Sequence, residues 1–361
     1  MSQAYSASGT HVPGVAADDL DLIARHTSTA VWRVLAGQHI FITGGTGFIG
    51  CWLLETLLWA DQQFQLNLRL HVLTRRAEAF IAKAPHLAQH RAVRLVQGDV
   101  TDLAHLNDAI DIVLHAATDV ANAGSDPRKV FDDIVNGTKE TLELARRCGA
   151  RCYMLTSSGA VYGRQPDAMT HIPEHYAGAP DTLQPGTAYG QGKRVAEWLV
   201  QCAGVQHGME TRIARVFALL GPYMPLDAHF AAGNFIRDAM AGHEIKVGGD
   251  GTAHRSYLYA ADMVIWLLSI LVNGASGQAY NLGSDDALSI RQLAAAVSRV
   301  LLGEERYSVS ATPVPGAPVQ RYIPAVDKAR NELNLIVHTD LPSAIRKTAD
   351  WTMTRSLSSR A

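Results

Sequence analysis

Tyr189 and Lys193 stand four residues apart in AYGQGKRVAEW, which runs from Ala188 to Trp198. Val195, Ala196, Trp198, Leu199 and Cys202 recur at intervals of three and four, a spacing that predicts a helix. Helical positions i and i+4 share a face, so the phenol and the ammonium lie side by side. A free tyrosine, with a pKa of about 10, is a poor acid or base at neutral pH. A neighbouring positive charge favours the phenolate and lowers that pKa. The pair can therefore make an acid–base catalyst, but the same spacing also occurs on solvated helix surfaces, and other residues must decide.

FITGGTGFIG places Gly44, Gly47 and Gly50 directly after an apolar strand and at the opening of a helix. A dinucleotide site needs this arrangement: a tight turn, a close backbone approach to the pyrophosphate, and close packing of helix on strand. The helix amino terminus offers free N–H groups to phosphates. MLTSSGAVYG ends a further strand on Ser157 and Ser158, and HAAT at 115–118 ends another on small residues with room for a flat ring. Ligands bind at such carboxyl ends. The second strand, LHVLT, ends in Thr74 followed by Arg75 and Arg76, with no acid for ribose hydroxyls. Guanidinium groups match a phosphate fork, so this stretch suits the 2′-phosphate of NADP, although both arginines also read as solvated loop charges.

Around these residues the chain alternates strand and helix. HIFIT, LHVLT, AVRLVQGD, DIVLHAAT, CYMLTSS and TRIARVF read as strands; GFIGCWLLETLLWA, LAHLNDAI and VFDDIVNGTKETLELARRCG read as helices. The pattern predicts a Rossmann-type doubly wound parallel sheet. Residues 1–37 read as an extension, 38–220 mainly as the dinucleotide-binding domain, and 353–361 as a tail. Residues 221–352, punctuated by glycine and proline, read mainly as a smaller, discontinuous α/β substrate lobe that returns to the sheet near 257–282. With 361 residues, 47% hydrophobic and 18% charged, the chain has a globular composition. A net charge of -2 gives no argument for nucleic acid or an anionic membrane. Cys51, Cys148, Cys152 and Cys202 fit neither a disulfide framework nor a metal site, which suits a cytoplasmic protein. The amino terminus shows no basic-then-apolar signal, and MVIWLLSILV is far short of the roughly 20 residues that span a bilayer.

Taken in order, TGGTGFIG, GDVTD, LHAAT, VNGT, TSSGAVYG, YGQGK, GDGTAHRSYLYAADM and YNLGS resemble the extended short-chain dehydrogenase/reductase family, in its nucleotide-sugar branch, over about residues 38–352. The resemblance implies that Tyr189 is the acid–base group and that Ser158 bonds the reacting sugar oxygen. Lys193 would hold the cofactor ribose and lower the tyrosine pKa. It implies NADP or NAD held by Gly44, Thr46, Gly47, Phe48, Ile49, Thr74, Arg75, Arg76, Asp99, Val100, Ala116, Ala117, Thr118, Asn136, Tyr189, Lys193 and Val216. Asp99 matches the residue that meets the adenine amine, and also reads as a helix-start cap. Arg255 matches the arginine that clamps a substrate diphosphate, a task suited to bidentate donors; the usual following aspartate is Ser256 here, and a structural ion pair, for instance with Asp262, is the competing reading. Asn234 and Phe235 are candidates for the nucleotide pocket. Ala218 stands where the family often has a substrate-contacting asparagine. The partners implied are a nucleotide-diphosphate sugar and a second copy, paired through the helices near 130–147 and 189–203.

Family dehydratases follow the active threonine with Asp-Glu, and family decarboxylases usually carry a glutamate at position 160. Gly159 and Ala160 stand here, and neither can move a proton. Dehydration and decarboxylation are therefore set aside at this stage. An NADPH-dependent reductase of 4-keto sugars is favoured over an NAD-dependent 4-epimerase. A non-catalytic cofactor-binding protein is the reading from another class; the presence of Tyr189, Lys193 and Ser158 together argues against it.

Overall fold

Short apolar runs buried on both faces are how the central strands of a covered parallel sheet read. In the computed structural model, which describes residues 14–118, 126–228 and 230–358, the sheet strands are β1 (His39–Thr43), β2 (Arg69–Thr74), β3 (Val93–Gln97), β4 (Ile112–His115), β5 (Cys152–Ser158), β6 (Glu210–Val216) and β7 (Gln278–Leu282), with β3 and β7 as the less buried edges. They form one sheet in the order β3-β2-β1-β4-β5-β6-β7, every pair parallel. The order reverses between β1 and β4, the switch point at which doubly wound sheets bind ligands.

Alternating side chains feed two cores. Ile40 and Ile42 of β1 join a cluster with α3 (Phe48–Phe64) and α7 (Ala260–Asn273), while Phe41 and Val113 face α4 (Pro127–Arg147) and α5 (Ala188–His207). MVIWLLSILV lies within α7, whose residues from Ala260 to Leu271 are all buried. No helix among the described residues is long and apolar enough to cross a membrane. α4 starts on Pro127 with the Asp126 side chain accepting from the Lys129 N–H, and ends on two arginines, which complement the helix dipole. Upstream of the sheet, α1 (Ala17–His26) and α2 (Thr29–Leu35) pack on α7. Asp19 of α1 is buried and accepts from Tyr259 Oη at 2.7 Å and from Lys347 Nζ.

LAHLNDAI is not helical. Residues 103–110 form turns and coil, with Leu103, Leu106 and Ile110 as buried anchors. The Arg147 guanidinium donates to the carbonyls of Leu103 and Leu106 at 2.8 and 3.0 Å. The Leu103 carbonyl also accepts from the Leu106 N–H at 3.1 Å, so the segment is a turn tied to α4 by a side chain far along the chain, a long-range contact that local periodicity cannot register.

The smaller lobe carries α6 (Ala231–Met240) and α8 (Ile290–Leu302), the latter opened by a capping box between Ser289 and Gln292. A three-stranded patch places His254–Arg255 between Leu288–Ser289 and Arg321–Tyr322. This patch brings residues far apart in sequence to the carboxyl end of the main sheet.

Candidate active site

The glycine-rich turn joins β1 to α3. Gly44 has φ +69°, and a Cβ there would lie 2.6 Å from the Ala116 carbonyl carbon, so the turn packs directly on the end of β4. Thr43 Oγ1 accepts from the N–H groups of Ala116 and Ala117 at 3.2 and 3.1 Å, which fixes the two strand ends against each other. Having accepted twice, the Thr43 hydroxyl has its own proton for His115 Nδ1, 2.8 Å away. Burial holds the His115 pKa down to about 3, so the imidazole is neutral. Gly47 is the N-cap of α3 and makes no side-chain cap, leaving the first-turn N–H groups of Phe48 and Ile49 for an anion. Lys83 reaches this loop and donates to the Thr46 carbonyl at 2.7 Å. A crevice walled by backbone where side chains cannot fit, with free N–H groups at its floor, fits a dinucleotide pyrophosphate.

Thr74 ends β2, and Arg75 and Arg76 follow it on the exposed surface. Asp99 bonds Thr101 by N–H and hydroxyl, which holds its pKa down, and the Arg75 charge lowers it further. Arg75 therefore sits in the field of a carboxylate, which weakens its case as half of a phosphate fork. Val100 abuts Gly137 of α4: a Cβ on Gly137 would lie 2.9 Å from Val100 Cγ1. Thr118 follows Ala117 on the loop after β4, and Asn136 stands on the exposed side of α4.

Tyr189, Lys193 and Glu197 lie at i, i+4 and i+8 on one face of α5. Lys193 is 2% exposed and donates to the Thr156 carbonyl at 2.8 Å. Burial pushes its pKa down to about 8, opposed by the Glu197 carboxylate. Glu197 in turn accepts from the Ser157 hydroxyl and from Arg215 Nη2 at 2.7 Å. Arg215 Nη1 donates to Tyr162 Oη at 2.8 Å, and Tyr162 donates to Asn281 Oδ1 at 2.7 Å. The lysine is thus braced by a buried polar chain that crosses β5, β6 and β7.

The electrostatics of Tyr189 differ from the expectation. Its pKa is raised, first by burial, and what draws it back is hydrogen bonding with Ser158. Lys193 Nζ lies 6.0 Å from the tyrosine ring centre and is bonded to the backbone. The ammonium is desolvated and partly spent on Thr156 and Glu197, so without cofactor it does not act on the phenol.

On the substrate side, Ser158, Val216 and Leu282 stand in register across β5, β6 and β7. Ser158 Oγ lies 3.3 Å from Tyr322 Oη. Arg255 donates to the His254 carbonyl at 2.8 Å, and its guanidinium carbon lies 5.9 Å from the Tyr322 ring centre. It does not pair with Asp262, whose carboxylate accepts from the N–H groups of His338 and Thr339. Arg164, Arg255, Arg321 and Tyr322 line one cleft. Asn234 lies apart, bonded to Arg237 at 3.0 Å, and Phe235 is buried in the main core. Tyr322, Arg321 and Arg164 were not singled out in the sequence because they lie outside any helical or strand-end spacing with Tyr189. Glu197 carries a signal in the sequence, its i+8 position on the face of Tyr189 and Lys193.

The fold and these side chains define a Rossmann-type protein with a glycine-rich turn after β1, a tyrosine-lysine pair on α5 and a cleft lined by three arginines. The chain belongs to the NAD dependent epimerase/dehydratase family, whose model matches residues 40–283. It is 31% identical over 300 residues to UDP-glucuronic acid decarboxylase 1 of Arabidopsis thaliana, a match covering 82% of this chain and 65% of that protein. Other plant proteins of that name match at similar identity. Among solved structures, an epimerase from Methanothermobacter thermautotrophicus superimposes with a TM-score of 0.76 at 23% identity, covering 92% of this chain and 97% of the other. DesIV, a dTDP-glucose 4,6-dehydratase of Streptomyces venezuelae solved with NAD and TYD bound, superimposes with 0.74 at 22% identity, covering 88% and 97%.

These relatives overturn the functional expectation. Decarboxylation was set aside because residues 159 and 160 carry no acid, yet the curated relatives are decarboxylases. The preference for a reductase, and with it the argument for NADPH, is withdrawn. One missing side chain is no bar to this reaction. Loss of carbon dioxide from a carboxylate β to a ketone is driven by electron flow into that ketone and needs no base at the scissile bond.

Proposed function

We propose that the chain is a cytoplasmic nucleotide-sugar enzyme that decarboxylates a nucleotide hexuronate of the UDP-glucuronate class after oxidation at sugar C4. The observation that carries this reading is the 31% identity to a UDP-glucuronic acid decarboxylase across 82% of the chain. The site supports it through Arg164, Arg255 and Arg321, which line one cleft and suit a substrate bearing both a diphosphate and a carboxylate.

A bound nicotinamide dinucleotide supplies the hydride acceptor and donor. Tyr189 takes the proton from the sugar hydroxyl and later returns it to the same oxygen. Ser158 bonds that oxygen and keeps Tyr189 within reach. Lys193, buried on α5 and bonded to the Thr156 carbonyl of β5, would hold the cofactor ribose and supply positive charge beside Tyr189. The reaction is redox-neutral, so the cofactor can remain in place through turnover, and NAD is the form we assign.

The test is incubation of the NAD-loaded protein with UDP-glucuronate, following carbon dioxide and the nucleotide product. Release of carbon dioxide with formation of a UDP-pentose and no net reduction of NAD supports the reading. No release from UDP-glucuronate, with interconversion of C4 epimers of a neutral UDP-hexose, overturns it.

We further propose that α4 and α5 pair with their counterparts in a second copy. Trp198 and Val205 on α5 are 64% and 87% exposed, an apolar stripe without a cover in the single chain. Trp198→Glu should convert a sedimenting dimer into a monomer at micromolar concentration; a wild-type protein that is already monomeric there refutes the pairing.

A further inference from the structure

We propose that Tyr322 is a second proton donor of this site, placed to protonate the sugar carbon next to C4, the task for which residues 159 and 160 offer no acid. The proposal rests on the decarboxylase reading above. Its starting point is steric. A Cβ on Gly159 would lie 2.7 Å from Tyr322 Oη and 2.6 Å from Phe217 Cζ, so the phenol occupies the room that a side chain at 159 would need. The phenol and the Phe217 ring together leave no room for a side chain at 159. The phenol comes from a strand 164 residues further along and places an O–H beside Ser158, where neither Gly159 nor Ala160 carries an acid.

The phenol is held. Its ring packs on Phe217 with centres 4.6 Å apart, Ser158 Oγ lies 3.3 Å from its oxygen, and Arg255 flanks the ring at 5.9 Å. Tyr322 and Tyr189 thus converge on the same serine, and their charges repel each other, so the two do not ionise together. Burial raises the Tyr322 pKa, which leaves it protonated when Tyr189 has done its work. Tyr322 also lines the cleft with Arg164, Arg255 and Arg321, where the proton it gives can be replaced from water.

The step balances as follows. Once C4 is a ketone, the C5–C6 bond breaks and carbon dioxide leaves. The electron pair of that bond becomes the enolate over C5, C4 and the C4 oxygen. The Tyr322 O–H bond breaks, its proton forms the new C5–H bond, and the enolate returns to a ketone. The phenolate is reprotonated by water from the cleft. Tyr189 is not consumed here and keeps its proton for the C4 oxygen when hydride returns.

The experiment compares wild type with Tyr322→Phe, both as NAD-loaded full chains with UDP-glucuronate, after melting curves show that the variant folds. Turnover should fall by roughly 10²–10⁴-fold, the usual range for general acid–base groups, with the affinity for UDP unchanged by calorimetry. In a single turnover the reduced dinucleotide should accumulate, because oxidation precedes the lost step; a merely structural defect would slow oxidation as well. In deuterium oxide the wild type should place deuterium at C5 in one configuration. The variant's small product should carry it in both, because water then protonates either face. Wild-type turnover without accumulation, or a single configuration in the variant's product, overturns the proposal. If the wild type releases no carbon dioxide from UDP-glucuronate, the decarboxylase reading falls and this proposal falls with it; the wild-type control tells the two failures apart.

Discussion

The crevice between β1, α3 and the end of β4 takes its turn from one contiguous stretch, Gly44 to Gly50, and Ala116 and Ala117 close it. The cleft opposite is assembled from Ser158 on β5, Tyr189 on α5, Arg255 on one short strand and Tyr322 on another. The crevice is specified by backbone shape, since a side chain on Gly44 or Gly50 would overlap neighbouring main chain. The cleft is specified by which functional groups meet. A region defined by shape tolerates almost no change in residue size and carries little information about the reaction; a region defined by meeting side chains tolerates exchange, provided another segment supplies the group.

The sharpest test of that contrast is Tyr189→Phe. It changes one functional group and no shape, so NAD binding and melting should stay close to wild type while turnover falls by roughly 10²–10⁴-fold. A variant that keeps most of its turnover would remove Tyr189 from the chemistry. The converse is Gly50→Ala, which adds one methyl group against Gly44 O and Gly45 Cα. Overpacking of this kind costs about 1–3 kcal/mol, and NAD affinity should fall along with the denaturation midpoint. Unchanged affinity would mean that the turn can move and that its shape is not the determinant.

Lys193 lies between the two regions and gives a pH signature. Its folded pKa of about 8 is below the ordinary 10.5, so between these values the unfolded chain holds a proton that the folded chain lacks. Stability then rises with pH across that window. The burial cost is complete below pH 8 and gone above 10.5. Cofactor-free Lys193→Met should therefore gain on wild type most near neutral pH and lose that advantage as pH rises through the window, read from denaturant midpoints. A difference independent of pH would contradict the buried ammonium. The smallest effect is expected at the edge of the crevice. Arg75 and Arg76 are exposed, and Arg75 faces Asp99. Replacing both by Ala should alter NAD affinity by no more than the 0.2–1 kcal/mol or so of exposed charge contacts, under about tenfold. A larger loss, confined to NADPH, would restore the phosphate fork.

The residues themselves determined the alternation of strand and helix, the glycine turn and the shared face of Tyr189 and Lys193, because each depends on spacing within one element. The parallel sheet followed from the same pattern for six of its strands; the seventh, Gln278–Leu282, and the strand order came with the structure. Only the tertiary structure decided the rest. Residues 103–110 form turns and coil, and Arg147, far along the chain, ties two of their carbonyls to α4. The Tyr189 pKa is set by burial and by Ser158 and not by the lysine one turn away, because the ammonium is desolvated and already bonded to Thr156. Gly159 and Ala160 looked like a lost function in the linear chain. In the folded chain the space above Gly159 is filled by Tyr322, since distance along the sequence places no limit on which side chain a sheet brings to the end of its strand.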